Sequence, residues 1–237
     1  MPARLIGVGV GPGDPSHLTL GALAAIRQAD RVVAPCPARE VEGRAEAIVR
    51  HAAPDLTVDR LPYEMATGSG VRAATAEAAA DRIVAWLDAG EAVAFVTLGD
   101  PNVYSTFSSV AAAVRARRPD MPIVTVPGIT AFQDLAARSG TVLLDGTESL
   151  TLVTALDGAG AAKDALADRQ RALVVYKGGR YLPELLDVLA ATGRMEGAVV
   201  GELLGMDGED VGPAVDRVGR PAGYLATVIV PPAGRPR

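Results

Sequence analysis

The sequence predicts an α/β protein of two α/β domains with a cofactor cleft between them, and three observations carry that prediction. Short apolar runs of strand length alternate with stretches of helical spacing along almost the whole chain, the pattern of α/β folds. Several runs stop abruptly at glycine and proline: Gly11-Pro12-Gly13-Asp14-Pro15, Gly99-Asp100-Pro101 and Pro127-Gly128. After the last of these a second complete α/β pattern begins, which places a boundary there, with residues 1–127 in one domain and 128–237 in the other.

Taken in order, Leu5 to Val10 reads as a buried first strand closed by the first glycine-proline loop. Ser16 or Thr19 can cap the helix that follows, which runs through about Ala29 with Leu20, Leu23, Ala24 and Ile26 at helical spacing. Arg31 to Ala34 is a second strand, followed by Pro35-Cys36-Pro37 and an arginine-bearing segment, and Leu56 to Leu61 is a third. The stretch Thr67-Gly68-Ser69-Gly70 is too irregular for a regular element. An alanine-rich helix spans Val71 to Ala89, with Trp86 read as a core or partner contact, and Gly90 stops it.

The run Ala92 to Thr97 is the most informative strand. Glycine permits unusual φ and proline ends ladder pairing, so Gly99-Asp100-Pro101 turns the chain sharply. Open α/β sheets keep their ligand crevice at the carboxyl ends of strands, which puts Asp100, Asn102, Tyr104, Ser105 and Thr106 at a cleft edge. The same tripeptide also makes an ordinary turn into a helix, so Asp100 is either a ligand contact or a cap. A helix to about Arg117, a strand Ile123 to Val126 and a helix through Arg138 follow. Beyond them come strands at Leu150 to Thr154, Ala172 to Tyr176, Gly197 to Leu203 and Tyr224 to Val230, with helices near Ala161 to Arg169 and Pro183 to Ala191.

Composition excludes several classes. The chain is 49% hydrophobic and 22% charged, which supports a buried core and argues against disorder. Aromatics at 4% and a net charge of −5 supply neither stacked rings nor a basic face for nucleic acid. The single cysteine, Cys36, excludes an internal disulfide and fits a reducing compartment. No apolar run approaches the ~18 residues of a membrane span, and the start of the chain turns glycine-rich too early for a signal-peptide core, so a soluble cytoplasmic protein is expected. His17 and His51 lack metal-ligand spacing, and no metal is expected. The dinucleotide fingerprint G-x-G-x-x-G fails from Gly7, where the last position is Pro12, and from Gly9, where it is Asp14. An ordinary Rossmann methyltransferase would want an acidic residue ending the second strand, and Arg31-Val32-Val33-Ala34-Pro35 has none.

Three phrases in this order, Gly7-Val8-Gly9-Val10-Gly11-Pro12-Gly13-Asp14-Pro15 with Leu18-Thr19-Leu20, Thr97-Leu98-Gly99-Asp100-Pro101 and Val126-Pro127-Gly128-Ile129-Thr130-Ala131, resemble the tetrapyrrole (corrin and porphyrin) methylase family over almost the whole chain. Leu61-Pro62-Tyr63-Glu64-Met65, Asn102 to Phe107 and Val175-Tyr176-Lys177 look like the branch that methylates C20 of precorrin-2 in cobalamin biosynthesis. The resemblance implies S-adenosyl-L-methionine folded between two domains, and a homodimer. It implies cofactor contacts at Pro12, Leu98, Gly99, Asp100, Val103, Ser105, Thr106, Thr130, Ala131, Tyr176, Lys177 and Ala226, many of them through backbone groups. It departs from the family at Lys177, where uroporphyrinogen methylases place methionine, and at Gly201 to Asp210, which lacks the family's arginine-threonine wording.

A polycarboxylate tetrapyrrole, metal-free or cobalt-containing, calls for cations inside an acidic protein, and Arg39, Arg44, Arg72, Lys177 and Arg180 are the candidates, with Met65 also assigned to the substrate. For any of these arginines a solvated surface role is an equal reading. The meso carbon of the reduced macrocycle is electron-rich, so alignment rather than a protein nucleophile is expected to drive transfer. The base that removes the later proton stays open among Glu64, Tyr104 and Lys177, each with a structural reading of its own. Rival readings are another superfamily member, such as uroporphyrinogen-III C-methyltransferase or a ribosomal-RNA ribose methylase, and a non-catalytic tetrapyrrole- and S-adenosylmethionine-binding protein.

Overall fold

The computed structural model describes residues 2–63, 69–220 and 222–234, without the side chains of residues 69–72. The chain divides into two compact units, Met1–Thr130 and Ala131–Arg237. The division falls on the far side of Pro127-Gly128, because Gly128 is held inside the first unit by contacts described below.

The first unit is built on five strands, β1 (Arg4–Gly9), β2 (Arg31–Cys36), β3 (Val58–Pro62), β4 (Ala92–Thr97) and β5 (Ile123–Val126). Their order is β3-β2-β4-β1-β5 and every pair is parallel. Parallel neighbours need crossovers, supplied here by α1 (Leu20–Gln28), α2 (Arg44–Ala52), α3 (Ser69–Asp88) and α4 (Thr106–Arg117). Because successive strand residues point to opposite faces, an all-apolar strand feeds two cores at once. Along β4, Val93 and Phe95 join the α3 and α4 side, while Ala94 and Val96 join the α1 and α2 side. The Phe95 and Phe107 rings lie tilted at 5.8 Å between centroids.

The second unit holds a mixed sheet of β6 (Ser149–Thr154), β7 (Arg171–Tyr176), β8 (Val199–Glu202), β9 (Asp210–Pro213) and β10 (Thr227–Val230), in the order β6-β7-β10-β8-β9. Only the β6–β7 pair is parallel; the other three pairs are antiparallel. Here α6 (Gly160–Ala165) and α7 (Leu182–Ala191) cover one face, and α5 (Ala131–Ser139) the other. A buried guanidinium, Arg194, donates to the carbonyls of Asp168, Arg171 and Pro231 at 3.3, 2.9 and 2.8 Å, which ties the start of β7 to the chain leaving β10.

Several expectations are corrected. The second strand runs two residues past Ala34, through Pro35 to Cys36; β2 pairs β4 only over Arg31 to Val33, so the proline interrupts no ladder on that side. The arginine-bearing segment contains α2, and α3 already begins at Ser69, inside the stretch read as irregular. In the 205–213 region β9 appears as an edge strand with glycine and proline in it, residues that hide a strand from any apolar pattern. Thr19, not Ser16, caps α1 by accepting from the Ala22 N–H at 3.1 Å, and Leu20 points outward, 87% exposed. Trp86 borders the α3 and α4 core with the guanidinium groups of Arg31 and Arg82 over its ring at 5.3 and 5.2 Å.

The segment that enters α2 is tied by Glu46, which is fully buried and accepts from Arg50 Nε and Arg60 Nε at 2.7 Å each. Burial opposes its ionisation, but the hydrogen bonds from Arg60 and then Arg50 outweigh that and hold the carboxyl below its ordinary range.

Two outcomes follow. Phe95→Ala should lower the unfolding free energy of the first unit by about 3–5 kcal/mol, read from denaturant midpoints, because it opens a cavity against Phe107. A carboxyl whose folded value is depressed contributes stability that is complete above its unfolded value and lost as pH falls through the folded one. The stability gap between the native chain and Glu46→Gln should therefore be widest near neutral pH and close on acidification below about pH 4; a gap indifferent to pH would contradict the assignment.

Candidate functional site

The strands β4, β1 and β5 are adjacent and parallel, so their carboxyl ends lie side by side and their three glycine-proline corners meet on one edge. The Val10 N–H donates to the Thr97 carbonyl at 3.0 Å and the Gly99 N–H to the Gly11 carbonyl at 2.8 Å. Gly11 and Gly99 both sit at positive φ, 84° and 64°. The contact is closer than side chains allow. A Cβ on Gly9 would lie 2.4 Å from the Gly99 oxygen and 2.6 Å from the Gly128 nitrogen, and one on Gly128 would lie 2.2 Å from the same oxygen.

Asp100 fastens this junction. Its Oδ1 accepts from the Asn102 N–H at 2.8 Å and its Oδ2 from the Gly128 N–H at 3.1 Å, so the carboxylate joins the second corner to the third. The cap reading of Asp100 changes, because Ser105 caps α4 by accepting from the Phe107 N–H at 3.0 Å; each Asp100 oxygen makes one bond within the junction and keeps capacity to accept another. The Ser105 hydroxyl also pairs with that of buried Thr97 at 2.9 Å, which engages a side chain expected at the cofactor. The Asn102 amide donates to Thr125 Oγ1 at 3.1 Å, carrying the clamp to β5. Asp14 plays the corresponding part at the first corner, accepting from the Ser16 N–H at 2.8 Å.

Gly99 is less crowded than its two neighbours: a Cβ there would meet the Ile129 carbonyl oxygen and Thr130 Cα in ordinary contact at 4.0 Å. Half-buried Leu98 and Val103 and buried Pro12 and Thr130 belong to the same corner segments. Thr106 begins α4 nearby. Tyr104 stands on the same corner, 47% exposed and at φ 46°, a conformation that costs a non-glycine residue on the order of 1–3 kcal/mol. A strained exposed tyrosine at a strand end is a functional signal that turn composition alone does not give.

The cations expected at a polycarboxylate are distributed unevenly. Arg39 and Arg44 follow β2 on this same edge, are exposed, and make no ion pair with any carboxylate among the described residues. By contrast Arg27, Arg31, Arg50, Arg60, Arg117 and Arg118 of the same unit are each paired with carboxylates. Glu64 and Met65 lie outside the described residues, as does the side chain of Arg72.

In the second unit, Tyr176 ends β7, and its hydroxyl accepts from the Phe132 N–H at 3.3 Å, at the first turn of α5 that Ala131 opens. Lys177 follows at φ 57°, half-buried, with Nζ 5.9 Å from the centre of the Tyr224 ring. Ala226 is fully buried; its N–H donates to Gly223 and its carbonyl accepts from Gly178, so its backbone donor serves the fold. Arg180 is exposed, its guanidinium 5.5 Å from the centre of the Tyr181 ring. The structure thus gathers Pro12, Leu98, Gly99, Asp100, Val103, Ser105, Thr106 and Thr130 on one edge of the first sheet, and Tyr176, Lys177 and Ala226 at one end of the second. Thr125 and Glu46 carry no local signal in the sequence, and Thr97 stands there as the end of an apolar run, without a role of its own.

Comparison with known proteins shows what the chain is similar to. The family model for tetrapyrrole (corrin/porphyrin) methylases matches residues 4–215. A precorrin-2 C(20)-methyltransferase of a Sinorhizobium species is 33% identical over 239 residues, covering 96% of this chain and 95% of that protein. A cobalt-precorrin-2 C(20)-methyltransferase of Salmonella typhimurium is 26% identical, covering 97% of each. Among solved structures, a cobalt precorrin-4 methyltransferase superposes with a TM-score of 0.70 at 19% identity over 97% of this chain and 95% of that one, a likeness of fold.

The junction makes its own prediction. Gly128→Ala should cost about 1–3 kcal/mol or more, since the clashing atoms are backbone and cannot turn aside. Asp100→Asn leaves one carbonyl to serve two N–H groups; hydrogen exchange at the Gly128 or Asn102 amide should accelerate, by up to about a hundredfold for a bond worth 1–3 kcal/mol. Unchanged protection at both amides would show that the clamp carries no load.

Proposed function

Because the chain belongs to the tetrapyrrole (corrin/porphyrin) methylase family, we propose that it transfers a methyl group from S-adenosyl-L-methionine to C20 of precorrin-2, metal-free or as its cobalt complex, in cobalamin biosynthesis. The observation that carries the reading is the close backbone junction of Gly9, Gly99 and Gly128, on the sheet edge where Arg39 and Arg44 also stand. Relatives that cover nearly the whole chain and bear the precorrin-2 and cobalt-precorrin-2 names support the choice of acceptor.

When bound, S-adenosylmethionine would supply an electrophilic methyl group for in-line attack by the electron-rich meso carbon, with the sulfur leaving as a neutral thioether. The work of this chain is alignment. The corners Gly9, Gly99 and Gly128, locked by Asp100, offer backbone groups whose positions are set before the ligand arrives, so little ordering remains at the moment of reaction. No protein nucleophile is required. Arg39 and Arg44 hold acceptor carboxylates, for which the fork geometry of guanidinium is suited. The proton that leaves the methylated carbon passes to a group at the strand ends: Tyr104 and Lys177, both held at positive φ, are the described candidates. In this proposal the chain acts as a homodimer in the cytoplasm.

Incubation with S-adenosylmethionine and either precorrin-2 or cobalt-precorrin-2, followed by mass spectrometry, should show one added methyl, assigned to C20 by NMR. Methylated uroporphyrinogen III in place of that product, or no methylated tetrapyrrole, would overturn the reading.

A further inference from the structure

Glu46 presents an excess that its place in a surface helix does not require. Withdrawing a carboxylate from water costs several kcal/mol per ion in a protein unless partners compensate, and an apolar residue would serve α2 as well. Its bonds point in one direction. Oε1 accepts from Arg50 at 2.7 Å, while Oε2 accepts from Arg60 at 2.7 Å and from the Gly43 N–H at 3.5 Å. Arg60, on β3, then donates through Nη1 to the carbonyl oxygen of Arg39 at 3.1 Å.

The segment between β2 and α2, residues 37–43, is therefore held at two points. At Gly43 it is gripped by Glu46 and by Pro35, whose carbonyl oxygen stands 2.3 Å from where a Cβ would be. At Arg39 the backbone is held by Arg60, and the Val41 N–H closes a turn onto the Ala38 carbonyl at 3.0 Å. The loop exposes Pro37, Arg39, Glu40, Val41 and Glu42, of which Arg39 is the cation, with Arg44 at the first position of α2 just beyond it. Glu42 is engaged by Arg50 at 3.2 Å.

We propose that Glu46 is a positioning residue for the acceptor: through Arg60 it fixes the loop that aims Arg39 at a carboxylate of the tetrapyrrole. The inference rests on the proposed function, since it needs a polycarboxylate acceptor. A long cationic side chain on a loose loop loses much of its pairing energy to ordering, whereas one on a preset loop keeps it.

The test uses the full-length chain and precorrin-2, titrated by absorbance without donor and then in steady-state turnover. Arg39→Ala should weaken precorrin-2 binding and raise its KM about tenfold, the loss of one charge-assisted bond. Glu46→Gln should raise the same KM by a comparable factor, with kcat and S-adenosylhomocysteine affinity unchanged. The double variant should bind no worse than Arg39→Ala alone, because the two residues act in series. Should Glu46→Gln fold poorly, Arg60→Met keeps the Glu46–Arg50 bond, removes the tie to Arg39, and should give the same KM effect. Factors that multiply in the double variant, equal losses in donor affinity and kcat, or unaltered precorrin-2 affinity in both Glu46→Gln and Arg60→Met would overturn the proposal. Failure of the underlying reading looks different: the unmodified chain would itself bind no tetrapyrrole.

Discussion

Everything at the candidate site depends on three backbones meeting where no side chain fits. Gly9, Gly99 and Gly128 approach so closely that a single methyl on the first or the last would overlap a carbonyl oxygen or amide nitrogen. Such contact is available only to strand ends that are neighbours, which the order β4-β1-β5 provides. The parallel sheet thus sets the site before any functional side chain is considered. It also explains why the unit boundary falls after Thr130: the third corner belongs to the sheet whose other two corners it touches.

Polar groups around that junction tie backbone to backbone. Asp100 holds two amides in two loops, Ser105 holds α4 and Thr97, and Asn102 reaches Thr125. A buried polar group without a partner costs about 1–3 kcal/mol, so the corners are satisfied in advance and keep one geometry. Gly99 itself is the less crowded member, where a Cβ would meet the Ile129 carbonyl oxygen and Thr130 Cα at 4.0 Å.

Charge is organised by the same economy. Six arginines of the first unit are matched to carboxylates, and the Glu46 network places two of them on a buried acid. Arg39 and Arg44, like Arg4, Arg82 and Arg115, make no such pair among the described residues, although the chain carries a net charge of −5. What sets Arg39 and Arg44 apart is their place after β2, on the edge that holds the corners.

The sequence by itself determined the alternation of strands and helices, most strand positions and the three corners, because these rest on local signals: apolar runs, glycine where φ turns positive, proline where pairing stops. It also carried the family resemblance. Tertiary structure alone decided what those signals leave degenerate. Pro35 lies within β2 because pairing to β4 stops at Val33, β9 is a strand because β8 offers it an edge, and Gly43 caps α2 where Pro35 comes too close for a side chain and Glu46 accepts its N–H. Asp100 could be read as cap or ligand in the chain, and only the approach of Gly128, 28 residues away, made it a clamp. The physical reason is common to all four: each depends on which distant backbone group comes within hydrogen-bond reach, a quantity that composition and spacing along one segment do not contain.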